Sequence, residues 1–214
     1  MDDFTLRDIA TALIFAARWT LALTAVAFLG GGVAGLAVLI ARIDRRRWLV
    51  RLAKGYIALF QGTPLLLQLF VVFFGLPLLQ LQIEPWMAAS LGLAAYASAY
   101  LAEIWRGGVE SLPKGQWEAA TALGLHRLSV LRLVVLPQAL RITLPPAVGF
   151  LVQLVKATAV TSIIGFSELM RTANALNNAT FEPFTVYGMV AMIYFVLCFP
   201  LTSYARHLEA VQAR

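Results

Sequence analysis

Charge is scarce in this sequence. Asp, Glu, Lys and Arg make up 13% of its 214 residues, against about a quarter in ordinary soluble domains. Hydrophobic residues reach 60%, and the mean hydropathy is +0.79. The few charges are grouped, leaving long runs with none, which excludes a typical soluble domain and points to a membrane protein. Cysteine is limited to Cys198. No disulfide can form within the chain, and a thiol in so apolar a stretch reads as inert. The two histidines, His126 and His207, are far apart, so no metal-spaced cluster arises. The sequence lacks Gly-x-x-x-x-Gly-Lys-Ser/Thr, hence a phosphate cradle of that type, and lacks the Gly-x-Ser-x-Gly nucleophile turn. It has no internal repeat. The start, Met1-Asp2-Asp3-Phe4, is acidic and unlike a cleavable signal.

Present instead are five apolar runs long enough to approach the ~20 residues that a helix needs to cross a bilayer. They predict an all-α, polytopic membrane protein with five spans at about 19–41, 55–80, 85–105, 142–167 and 183–205. The second span should kink or end near Pro77, and Pro145-Pro146 should lie at or before the first turn of the fourth. Residues 1–18 read as an outside segment and 210–214 as a tail, with one membrane domain over 19–209. Gly31 and Gly35, one turn apart in the first span, form a small-residue face for close helix packing, within the subunit or against a partner.

Basic residues sort by loop. The first connection carries Arg42, Arg45, Arg46, Arg47, Arg51 and Lys54, and the third carries Arg106, Lys114, Arg127, Arg132 and Arg141. The second has only Glu84, and the N-terminal segment balances Arg7 and Arg18 with Asp2, Asp3 and Asp8. The positive-inside rule then places the N-terminus outside and the C-terminus in the cytoplasm. The formal net charge of +6 is therefore a topology signal rather than a nucleic-acid face.

The connection between the third and fourth spans, 106–141, is long for a linker and so reads as functional. Its text is Glu118-Ala119-Ala120-Thr121-Ala122-Leu123-Gly124, nine further residues, then Val134-Val135-Leu136-Pro137. A narrow alanine helix should break at Gly124, where the backbone can turn. A second short helix should follow, with Leu128, Leu131 and Val135 on one face and Arg127 and Arg132 elsewhere, ended by Pro137.

Glu-Ala-Ala, three residues, Gly, nine residues, an aliphatic, one residue and Leu-Pro resembles the EAA loop of ABC importer permeases; only Val134 departs, where that family often has Ile. Gly62-Thr63-Pro64-Leu65-Leu66 with Gln68, Ala102-Glu103-Ile104 with Arg106-Gly107-Gly108, and Leu136-Pro137-Gln138-Ala139 with Leu144-Pro145-Pro146 are similar to the polar amino-acid uptake branch. The likeness runs from about Trp19 to Glu209. Two positions differ from the family pattern: Gln61 stands where Arg is usual, and Ala157 where an acid usually follows the lysine.

The resemblance implies a permease of the bacterial inner membrane that is not itself an enzyme. It implies ABC ATPase subunits as partners, holding ATP and Mg, with no cofactor in this chain. It also implies a second permease copy or a homologous permease, and a periplasmic amino-acid-binding protein. Glu118, Ala119, Ala120, Gly124, Leu136 and Pro137 would form the ATPase coupling site, on a cytoplasmic coupling helix. For the substrate path the candidates are Gln61, Thr63, Gln68, Gln153, Lys156, Thr158, Thr161 and Ser162. An intramembrane ammonium is costly and usually functional. Lys156 either attracts a substrate carboxylate, pairs with Glu168 or backbone carbonyls, or snorkels outward. Glu103 and Arg106, three apart, should pair on one helix. A stand-alone secondary carrier is the competing reading, but it would carry paired repeats and intramembrane acids, which the sequence lacks.

Overall fold

The computed structural model of the chain describes residues 5–212, and of Arg127 and Leu128 the backbone alone. Among the described residues the regular structure is helical, without strands. Helix α1 (Leu6–Arg42) opens with a capping box. Asp8 N–H donates to Thr5 Oγ1 at 3.3 Å, and Thr5 N–H donates to the Asp8 carboxylate at 3.1 Å. At 1.5 Å per residue, its 37 residues reach about 55 Å, well beyond the ~30 Å hydrocarbon core.

Residues 6–18 are thus the first third of α1 rather than a separate segment. Asp8 and Arg18 interrupt the hydropathy run, but Ile9 and Leu13 face inward. They pack on Leu169, Ala173 and Leu176 of α8 (Leu169–Thr180), and on Val186 and Val190 of α9 (Pro183–Gln212). Of the N-terminal residues, 1–4, with Asp2 and Asp3, lie outside the described residues, as do 213–214 of the tail.

Helices α1 and α4 (Pro85–Glu110) run parallel. Trp19 meets Trp86 near one end, Gly31 meets Ala97 in the middle, and Arg42 meets Glu103 near the other. These ends are called the Trp19 end and the Arg42 end below. A Cβ on Gly31 would stand 2.5 Å from Ala97 Cβ and 2.8 Å from Ala94 O. The small-residue face therefore serves packing within the chain.

The second apolar segment is two helices, α2 (Arg47–Gly62) and α3 (Leu65–Leu78), bent by 106°. The segment ends near Pro77, as expected, since α3 stops at Leu78; the bend lies at Thr63-Pro64, which was not expected. Pro64 lacks an N–H and forces Thr63 extended, at φ −118° and ψ 146°. Gln68 holds the corner: its Nε2 donates to Phe60 O at 2.8 Å, Thr63 O at 3.0 Å and Thr63 Oγ1 at 2.9 Å.

Two other expectations about proline are corrected. After α5 (Lys114–Ala122), the turn α6 (Arg127–Val130) leads through a π-helical stretch (Leu131–Val135) directly into α7 (Leu136–Ala157). Pro137 therefore lies in the first turn of α7, a position that tolerates proline, and ends nothing. Pro145 and Pro146 lie inside α7. The carbonyl that Pro145 leaves without its helical donor, Arg141 O, accepts from Gln212 Nε2 of α9. Beyond α7 a 3-10 stretch (Thr158–Ile164) turns at Gly165, φ +91°.

Packing makes a direct prediction. Gly31→Val should lower stability by about 1–3 kcal/mol, read as a lower apparent melting temperature in detergent. Gly30→Ala, whose added methyl meets only Ala94 Cβ at 3.6 Å, should leave it unchanged. Equal losses from both would refute the close α1–α4 contact.

Candidate functional site

Helix α5 ends as the sequence suggests. Gly124 takes φ +79°, and the stop is a Schellman motif. Leu125 N–H donates to Ala120 O at 3.2 Å, and Gly124 N–H donates to Thr121 O at 3.0 Å. One side of α5 is glued down: Ala120, 4% exposed, packs with Leu112, Val130, Val135 and Ala139, and with Trp117 and Leu125. The opposite side is bare. Glu118, Ala119 and Gly124 are exposed, and Leu123 is 81% exposed. Leu136 and Pro137 are also exposed, at the start of α7. A shallow depression of about 420 Å³ lies against Trp117, Glu118, Thr121 and Ala122. The π-helical stretch joins this unit to α7, with Leu136 N–H bonded five residues back to Leu131 O. The side chains of Arg127 and Leu128, expected on different faces here, lie outside the described residues.

The eight path candidates divide sharply. Thr158, Thr161 and Ser162 are buried. Their hydroxyls donate to Val155 O at 2.8 Å, Thr158 O at 2.7 Å and Ala159 O at 2.7 Å. They satisfy their own backbone and offer no open surface to a path. Gln68 and Thr63 are committed to the α2–α3 corner, and Thr63 Oγ1 also donates to Leu59 O at 2.6 Å. Gln61, Thr63, Gln153 and Lys156 are exposed, and of these four only Thr63 is tied into the corner.

Gln153 and Lys156 are three apart on α7 and share a side. Gln153 Nε2 reaches Tyr96 Oη only at 3.4 Å. Lys156 lines a groove of about 270 Å³ with Ala191, Tyr194, Cys198 and Thr202 of α9. Among the described residues no carboxylate lies within ion-pair distance of Lys156. The pairing with Glu168 is absent, because Glu168 is held elsewhere.

The sequence and the overall fold are shared with known proteins. Residues 31–211 match the family described as binding-protein-dependent transport system inner membrane component. The chain belongs to that permease family. It is 37% identical over 180 residues to the probable amino-acid ABC transporter permease YckA of Bacillus subtilis (strain 168), covering 84% of this chain and 80% of that one. It is also 37% identical over 194 residues to the arginine transport system permease ArtQ of the same organism, covering 89% and 87%. A solved structure described as an amino acid ABC transporter with histidines superposes with TM-score 0.90 at 32% identity, covering 98% of this chain and 99% of that one. The inward-facing MetNI methionine ABC transporter has the same fold, with TM-score 0.75 at 22% identity, covering 93% of this chain and 95% of that one.

The permease has two polar constellations near its ends. At the Arg42 end, Glu103 accepts from Arg106 Nε at 2.9 and 3.0 Å and from Arg106 Nη2 at 2.7 Å. Arg42 approaches Glu103 at 3.5 Å, and Arg106 also bonds Glu110. The i, i+3 spacing made the Glu103–Arg106 pair legible; Arg42 arrives from another helix and was not.

At the Trp19 end, Glu168 is fully buried and caps α8. It accepts from Met170 N–H at 2.9 Å and Arg171 N–H at 2.8 Å. The neighbouring Leu169 N–H donates to Thr20 Oγ1 at 3.3 Å. An acid just before a helical run was the available signal. Burial pushes the Glu168 carboxyl up to about 7, against the pull of its backbone donors.

A raised acid binds its proton more tightly folded than unfolded, so stability should fall as pH rises from the ordinary carboxylate range through about 7. Melting the purified permease across that window checks this. Glu168→Gln should flatten the decline, and an identical decline in the variant would refute it.

Proposed function

We propose that this permease forms one half of the translocation path of an ATP-driven importer for polar amino acids. In this reading it lies in the bacterial inner membrane with its N-terminus outside and its C-terminus inside, the orientation favoured by its Lys and Arg bias. Separate ABC ATPase subunits, which hold ATP and Mg, grip α5. A second copy or a homologous permease completes the path, and a periplasmic amino-acid-binding protein delivers the substrate. The observation that carries the reading is α5 itself. It is a bare knob with an exposed carboxylate and a fixed stop, cemented through Ala120 to the start of a spanning helix.

A push on such a knob passes into α7 and, through Leu112 and Val109, into the end of α4. Stiffness matters, because a floppy connector would absorb the stroke. Gly124→Val places a β-branched residue in left-handed backbone that disfavours it. Nothing lies within 4 Å of the added Cβ, so the core stays intact. The variant should assemble with the ATPase yet lose uptake in proteoliposomes. Uptake at the original rate would defeat the coupling role. Wild-type uptake without any ATPase would instead favour a stand-alone carrier.

Lys156 is the path's candidate for the substrate carboxylate. Phe150 stacks on Tyr100, and Lys156 sits six residues further toward the Trp19 end, about 9 Å along α7. An ammonium inside a span, with no carboxylate in reach among the described residues, carries an insertion cost of about 2.5–3.5 kcal/mol. That cost is relieved when an anion arrives. Lys156→Met should raise the KM for uptake by about tenfold or more, the loss of a charge-assisted contact, while the chain still folds. An unchanged KM and rate would remove Lys156 from the path.

A further inference from the structure

We propose that α2 lies in the plane of the bilayer and that its basic edge binds the phosphate groups of anionic phospholipids. Its orientation follows from its neighbours. Leu69 of α3 packs against Gly92 of α4, a short link returns α3 into α4, and the two therefore cross as an antiparallel pair. Helix α2 is turned 106° from α3, so it runs close to the membrane plane near the Arg42 end.

Successive residues advance about 100° around a helix, which divides α2 into three sides. The first faces the protein. Ala53 and Ile57 are 5% and 6% exposed, and Tyr56 Oη is held by Ala95 O at 3.1 Å and Ser98 Oγ at 2.7 Å. The second is apolar and bare: Trp48, Leu52 and Leu59 are 56%, 63% and 59% exposed, within one narrow sector. The third carries Arg47, Arg51 and Lys54 at spacings of four and three, all exposed, with Arg45 and Arg46 just before them.

Among the described residues no carboxylate pairs with any of these five cations. The nearby Asp44 uses Oδ1 to accept from Arg46 N–H at 2.7 Å. An apolar stripe edged by unneutralised cations is the pattern of an interfacial helix, with its aromatic and aliphatic side in the acyl chains and its cations among phosphates. Bulk positive charge suffices to orient a chain. Placing it on one edge of a tethered, in-plane helix beside a bare Trp-Leu-Leu stripe adds a lipid contact, and that contact is independent of ATPase coupling.

The test uses the full chain in nanodiscs with acyl-brominated phosphatidylglycerol or acyl-brominated phosphatidylcholine. Trp48 emission is obtained by subtracting the Trp48→Phe spectrum. Brominated phosphatidylglycerol should quench Trp48 several-fold more than brominated phosphatidylcholine at the same mole fraction. High salt should erase the difference while quenching by phosphatidylcholine persists. The Arg47→Gln/Arg51→Gln/Lys54→Gln variant should lose the preference, and Arg51→Gln alone should weaken it if the triple variant folds poorly. Equal quenching by both lipids, or a preference untouched by salt and by Arg51→Gln, would overturn the proposal. So would a Trp48 shielded from both lipids, the outcome expected if an acidic protein partner covers this face.

Discussion

Inside a bilayer, water does not squeeze helices together, so association relies on how closely backbones approach. In this permease α1 and α4 meet where Gly31 leaves no room for a side chain against Ala97 and Ala94. That contact sets the position of everything else. Leu23 and Ala27 of α1 then join Leu93, Ala97 and Leu101 of α4 in one core, to which Leu69 of α3 and Phe150 and Leu154 of α7 add. Polar pairs brace the ends, with Arg42 on Glu103 at one and Thr20 on Leu169 at the other.

The same scaffold explains how a small exposed helix could be mechanically connected to distant spans. Helix α5 is clamped between the end of α4 and the start of α7 by Leu112, Ala120, Val130 and Val135. The π-helical stretch runs directly into α7, and Pro137 falls in the first turn after it. Helix α2, by contrast, is joined to α3 through a sharp corner that Gln68 ties shut. One linker transmits and the other turns, and the difference lies in where each proline falls relative to a helix end.

The substrate-path candidates show why residue type was a weak guide to placement. Thr158, Thr161 and Ser162 look like a polar lining in one dimension. In three they bond their own helix and face the core. Lys156 stays exposed, and among the described residues no carboxylate lies within ion-pair distance of it.

The all-helical class, the apolar segments, the stop at Gly124 and the Glu103–Arg106 pair were legible in the sequence, because each depends on residues within a few positions of one another. Tertiary structure decided the rest. It made residues 6–18 part of α1 by giving Ile9 and Leu13 a partner surface. It let Pro145 sit mid-helix by bringing Gln212 to the orphaned Arg141 carbonyl. It put the corner at Thr63-Pro64, buried three hydroxyls and left Lys156 bare. Hydropathy counts residues along a line; which face is covered, and which lost hydrogen bond is replaced, depends on helices far away in the chain.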